Sequence, residues 1–152
     1  MLRVETLPKG LRKGVIRMIV KDLMSSHIRT VLPDDPAELA AEIMRTENVG
    51  IVPVCDSQSH LLGLITDRDL IVRKGFGQTA GAVMSPDPIT VSPRQDIHEA
   101  ALRFSACGVR RLPVVDGERL VGMLSLRDLA RKKIFTAEIG HIIYHISNFG
   151  EF

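Results

Sequence analysis

The chain carries its own copy. Met24-Ser25 falls on Met84-Ser85, Thr30-Val31 on Thr90-Val91, Pro33 on Pro93, Pro53-Val54 on Pro113-Val114 and Asp56 on Asp116, all at one offset. One residue is then lost in a turn. From there Gly63 matches Gly122, and Arg68-Asp69-Leu70 matches Arg127-Asp128-Leu129. Solenoids use shorter repeats and need at least three of them to bury a core. Two long copies instead describe a single module folded twice.

The most informative part of each copy is its end. LLGLITDRDL at 61–70 and VGMLSLRDL at 121–129 each place an apolar run with a glycine before a hydroxyl residue, with an aspartate three positions later. The apolar run reads as a buried strand, and the residues from Asp67 or Leu126 onward as a helix. Thr66 and Ser125 then take the N-cap position, and Asp69 and Asp128 lie one turn in, on the same mouth. One reading is a capping box that only satisfies the helix terminus. The other is a ligand site, in which the carboxylate accepts from the vicinal hydroxyls of a sugar and free amides hold an anion. Recurrence at matched positions favours the ligand reading.

Composition limits the alternatives. Hydrophobic residues make up 45% of the 152 and charged residues 25%, as in a globular protein, while Trp is absent and aromatics are 4%, so the core must be aliphatic. A net charge of +2 gives no argument for nucleic acid. Residues 1–19 hold Arg3, Lys9, Arg12, Lys13 and Arg17 against Glu5, and read as a basic strap anchored by Leu11, Val15, Ile16, Met18 and Ile19. No apolar run is long enough to span a membrane, and the N-terminus lacks the apolar region of a secretory signal. Cys55 and Cys107 belong to no CxxC; Cys55 reads as core, in a reduced cytoplasmic setting.

The spacing predicts a helical turn over 20–24, a strand over 28–31 and a helix over 37–46, with Asp35 as N-cap and Pro36 at the first helical position. A hairpin of 51–55 and 61–65 follows, then a helix over 67–73. The second copy repeats this with a turn at 82–84, a strand at 89–91, a helix at 96–106, a hairpin of 112–115 and 120–124 around Asp116-Gly117, and a helix at 126–132. The divisions are a strap at 1–19, repeats at 20–74 and 80–133, a linker at 75–79 without a Walker loop, and a tail at 134–152. Within that tail, 134–147 forms an amphipathic helix with Ile139, Ile142, Ile143 and Ile146 on one side, expected to face a partner rather than its own module.

The elements DLMSS and AVMSP, GIVPVCD and RRLPVVDG, and LLGLITDRDL and LVGMLSLRDL resemble the CBS domain, named after cystathionine beta-synthase, over about residues 17–132. Two such repeats in tandem form a Bateman module. The resemblance implies an α/β (α+β) chain of two β-α-β-β-α repeats packed sheet to sheet with pseudo-twofold symmetry, plus the C-terminal helix. It also implies clefts binding AMP, ADP or ATP, with S-adenosylmethionine or NAD as variants, and no required cofactor. Such modules pair into homodimers and regulate another protein without catalysing a reaction.

Carried onto this sequence, the resemblance makes Asp69 and Asp128 the ribose acceptors and puts Thr66 and Ser125 beside them. Val49, Gly50 and Ile51 line one site, and Val109, Arg110 and Arg111 the other; Arg68 and Arg127 supply a further cation. Arg110 and Arg111 match family members that grip phosphate, whereas Gly50 and Ile51 do not. Charge-assisted contacts to phosphate contribute roughly 1.5–3 kcal/mol each, so the Asp128 site is expected to bind phosphorylated adenosine more tightly. His141 and His145 have no third ligand and read as surface or interface residues. No nucleophile-base arrangement points to an enzyme. The alternatives are a scaffold with vestigial clefts and, less favoured, a nucleic-acid-binding regulator using the basic strap.

Overall fold

The structure, a computed structural model, describes residues 17–132 and 136–148. The expected contacts of Leu11, Val15 and Ile16 and of the chain ends lie outside these residues. The element order is α1 (Val20–Leu23), α2 (Ala37–Glu47), β1 (Ile51–Cys55), β2 (Leu61–Thr66), α3 (Asp67–Ile71), α4 (Ala80–Val83), β3 (Ser85–Pro86), α5 (Ile97–Cys107), β4 (Arg111–Asp116), β5 (Arg119–Ser125), α6 (Leu126–Ala130) and α7 (Thr136–Asn148). It is a mixed α/β chain with antiparallel sheets and a C-terminal helix. No described helix is long and apolar enough to cross a membrane.

Two compact units divide it. Of the described residues, one holds 27–90 with 115–121; the other holds 17–26, 91–114, 122–132 and 136–148. In the first, β1 and β2 form the predicted hairpin, with Ile51 opposite Thr66, Pro53 opposite Leu64 and a register shift at Val54/Cys55. β3 adds to the far edge of β2, with Gly63 opposite Pro86. Valines and isoleucines suit a pleated, half-buried surface, and the glycine lets the β3 backbone lie close. Val31, Ala37, Ala40, Ile43, Met44, Val52, Val54, Ile65, Leu70 and Ala80 form its core. Cys55 is buried beside it, and burial first, then the neighbouring Asp56, pushes its thiol up to about 11.

The other unit repeats the plan. β4 and β5 pair, and Phe104, Leu112, Val114, Leu124 and Leu129 are fully buried. The two eleven-residue helices end alike: Asn48 caps α2 and Gly108 caps α5, both in the left-handed region at φ 54° and 64°. At its start α5 has Asp96 as N-cap, accepting from the His98 and Glu99 amides at 2.9 and 3.4 Å.

Each opening turn closes on residues far along the chain. Val20 N–H donates to Gln95 O, Lys21 N–H to Pro93 O and Ile97 N–H to Met18 O. In the first unit Ala80 N–H donates to Asp35 O, Gly81 N–H to Pro33 O and Ala37 N–H to Gln78 O.

Several expectations need correction. α2 starts at Ala37 as read, but its N-cap is Pro36 rather than Asp35, whose carboxylate is already taken by the Leu32 amide at 2.7 Å. The strands expected at 28–31 and 89–91 shrink to single parallel bridges, Val31 to Val54 and Val91 to Val114. Residues 28–30 and 89–90 join no ladder, and Pro33 and Pro93 lack the amide that would continue one beyond Val31 and Val91. α3 and α6 end at Ile71 and Ala130, short of Arg73 and Lys132, and α4 starts at Ala80 rather than Ala82. Finally, the expectation that α7 faces a partner rather than its own module does not hold for Ile142 and Ile146. The helix packs on α5 and α6 of its own unit, burying Ile142 and Ile146.

Candidate functional site

Both hydroxyl–aspartate pairs are built as capping boxes. In the first, the Asp69 Oδ2 accepts from the Thr66 amide at 2.8 Å and the Thr66 hydroxyl at 3.0 Å, while the Asp69 amide donates to Thr66 Oγ1 at 3.2 Å. In the second, Asp128 Oδ2 accepts from the Ser125 amide at 2.8 Å and its hydroxyl at 2.9 Å, and the Asp128 amide donates back at 3.2 Å. The capping reading was therefore not an alternative to be eliminated. It fixes the carboxylate's position, and what remains available is the other oxygen.

There the copies differ. Asp69 is only 3% exposed, and its Oδ1 lies 3.2 Å from Nη1 of Arg73, one helical turn on. Its carboxylate is committed on both oxygens. The matched position to Arg73 is Lys132, which makes no salt bridge to Asp128. Asp128 is half-buried. A carboxylate with a spare oxygen can accept from a ligand hydroxyl without breaking an existing ion pair.

The strand-entry residues are tied to these mouths by backbone. The Asp67 amide donates to Gly50 O at 3.0 Å, and the Leu126 amide to Arg110 O at 3.1 Å. Ile51 lies directly across from Thr66. Val49 and Val109 are held by their amides to Met44 O and Phe104 O, so each segment is anchored to the helix before it. The structure thus brings Gly50 and Ile51 to the Thr66–Asp69 turn, and Arg110 to the Ser125–Asp128 turn. Arg68 and Arg127 stand exposed on α3 and α6, Arg110 is exposed and Arg111 half-buried.

Sequence reading missed three contributors. Asp67, matched by Leu126, sits against Gly50: a Cβ added there would stand 3.3 Å from its carboxylate. At matched positions the second copy thus has Arg110 and Arg111 in place of Gly50 and Ile51, and Leu126 in place of Asp67. Arg73 was the second miss, although its spacing from Asp69 is the i,i+4 signature of a helical ion pair. The third is α7: Ile143, Ile146 and Ser147 join Arg110 and Leu126 around a cavity of about 300 Å³. Nothing in the duplicated pattern could signal that, since α7 has no counterpart in the other copy.

A larger cavity of about 480 Å³ lies elsewhere, among Asp56, His60, Asp87 and Glu118 near the β1–β2 turn, with no lysine or arginine in its lining. Its charge is wrong for a phosphate. His141 and His145 stack edge to face at 4.4 Å, and among the described residues no group of three or more potential ligands could hold a metal ion.

Comparison with known proteins identifies the family. The CBS domain pattern matches residues 20–74 and again 80–134. The CBS domain-containing protein YhcV of Bacillus subtilis is 35% identical over 134 residues, covering 85% of this chain and 95% of that one. Among solved structures, CBSX2 of Arabidopsis thaliana in complex with AMP is 29% identical with a TM-score of 0.68, over 74% of this chain and 93% of that one. The CBS domain pair of protein MJ0100, in complex with 5'-methylthioadenosine and S-adenosyl-L-methionine, is 25% identical with a TM-score of 0.70, over 80% and 98%. The doubled sequence, the paired capping boxes and these likenesses converge: the chain belongs to the CBS-domain family and carries two CBS domains in tandem.

Proposed function

We propose that this chain is a non-catalytic sensor that binds an adenosine-containing ligand, with AMP, ADP or ATP preferred, and passes its presence to a partner protein. In this reading it works in the cytoplasm as a homodimer. The observation that carries it is the Ser125–Asp128 turn, where the half-buried Asp128 carboxylate uses Oδ2 for the cap, makes no ion pair among the described residues, and heads a helix whose first amide donates to Arg110 O, the residue before Arg111. A ribose hydroxyl donates to Asp128, and the guanidinium groups meet the phosphates. Two relatives of the same fold hold AMP or S-adenosyl-L-methionine and 5'-methylthioadenosine, which supports an adenosine ligand here. The two arginines favour the anionic nucleotides over the cationic sulfonium.

The Thr66–Asp69 turn supports a second, structural role. Its carboxylate is already spent on Thr66 and Arg73, and Gly50 and Ile51 bring no cation. The two mouths thus divide the work, one binding and one holding the fold. Isothermal titration with AMP tests this. Asp128→Asn is expected to weaken binding by about tenfold or more, the scale of one lost charge-assisted contact, while Asp69→Asn changes it little. Equal losses in the two variants, or no binding of any adenosine compound by the wild type, overturn the assignment.

A further inference from the structure

Helix α7 lies outside the duplicated unit, yet it meets the second mouth. Ile142 and Ile146 anchor it on α5 and α6. One side of it then turns to Arg110 and Leu126, and the five residues Arg110, Leu126, Ile143, Ile146 and Ser147 enclose about 300 Å³. Leu126 heads the same helix as Asp128, two residues before it, and its amide is held by Arg110 O. Its walls are three aliphatic side chains with a guanidinium at one edge. Flat aliphatic walls suit an aromatic heterocycle, and a guanidinium suits an attached anionic group. Ile143 is 51% exposed, while Ile142 and Ile146 are buried. Ser147 spends its hydroxyl on Ile143 O at 2.8 Å, so it presents its carbon side to other groups.

We infer that α7 is the specificity wall of the second mouth: the base of a nucleoside phosphate packs on Ile143 and Ile146 while its sugar reaches Asp128. This rests on the adenosine-binding reading above and deepens it. Among the described residues the first copy has no counterpart of α7.

The test uses the full chain with AMP as the probe. Ile143→Glu sets a carboxylate against the ligand's anionic end, and Ser147→Phe fills the space; both positions are exposed, so the fold is retained, as circular dichroism will report. Each variant is expected to weaken AMP binding about tenfold or more, and Ile143→Leu to restore it. In the wild type, AMP is expected to slow amide exchange across 139–148, and Asp128→Asn to abolish that slowing. Wild-type affinity in both Ile143→Glu and Ser147→Phe, with Asp128→Asn still impaired, overturns the role of α7 and leaves the adenosine reading standing. Failure of the wild type to bind AMP or any other adenosine compound overturns both.

Discussion

A glycine in each copy shows how tightly the sequence is bound to local geometry. A Cβ on Gly63 would lie 2.7 Å from Ser85 O and 2.6 Å from Met84 Sδ; on Gly122 it would lie 3.0 Å from Ser25 O and 2.5 Å from Met24 Sδ. A methionine tip can yield, but a backbone carbonyl in a sheet edge cannot do so cheaply. Gly63→Ala is expected to cost about 1–3 kcal/mol in chemical denaturation, more than Gly122→Ala. Equal, negligible costs would show that the edge strand shifts freely. Asp56 is a second case. Its carboxylate accepts from the amides of Gln58 and His60, both at 2.9 Å, and from the His60 ring at 2.9 Å. The His60 amide chiefly, with the Gln58 amide and the His60 side chain behind it, outweighs a small desolvation cost and holds the carboxyl below its ordinary 3.8. Because folding lowers this pKa, the contribution is fully present above 3.8 and is lost as pH falls through the lowered value. An NMR titration should show the Gln58 and His60 amides shifting together in that acidic window, and Asp56→Asn should remove the transition. Amides that stay fixed there would refute the turn's dependence on charge.

At the scale of elements, what the sequence made legible was what one turn of chain decides. Periodicity and caps placed α2, α5 and both hairpins to within a residue or two, and the Thr66–Asp69 and Ser125–Asp128 boxes followed from hydroxyl and carboxylate spacing alone. What escaped depends on distant partners. The short strands near 31 and 91 came down to single bridges, to Val54 and Val114. The partner of α7 could not be read, since an amphipathic stripe says that a face is covered and not by what. The difference between the mouths was half visible: Arg110 and Arg111 against Gly50 and Ile51 stand in the sequence, whereas the Arg73 clasp on Asp69 emerges only from the folded helix. The α7 assignment makes an elementary distinction measurable. Ile146, 4% exposed, should lose roughly 2–5 kcal/mol of stability as alanine. Ile143, half-exposed on the same helix, should lose no more than about 1 kcal/mol. Similar costs at both positions would mean that α7 does not pack with the face described.

For the whole molecule, the division into units does not follow the repeats. Residues 115–121, the tip of the β4–β5 hairpin, belong with 27–90, while the rest of that hairpin belongs with α5, α6 and α7. Likewise α1, which opens the first repeat, is hydrogen-bonded to residues 93–97 rather than to its own repeat. Neither repeat can therefore unfold alone without breaking a hairpin or losing its opening turn. Linkage then makes a ligand held at the Asp128 mouth stabilise the entire chain. At a hundredfold excess over its dissociation constant, one site adds about 2.7 kcal/mol, or a rise of roughly 5–10 °C in a single melting transition for a chain of this size. Calorimetric scans with and without AMP should show one peak moving as a unit, and Asp128→Asn should cancel most of the movement. Two separable peaks, only one of them displaced by AMP, would mean that the units fold independently and that ligand news stops at the boundary of residues 121 and 122.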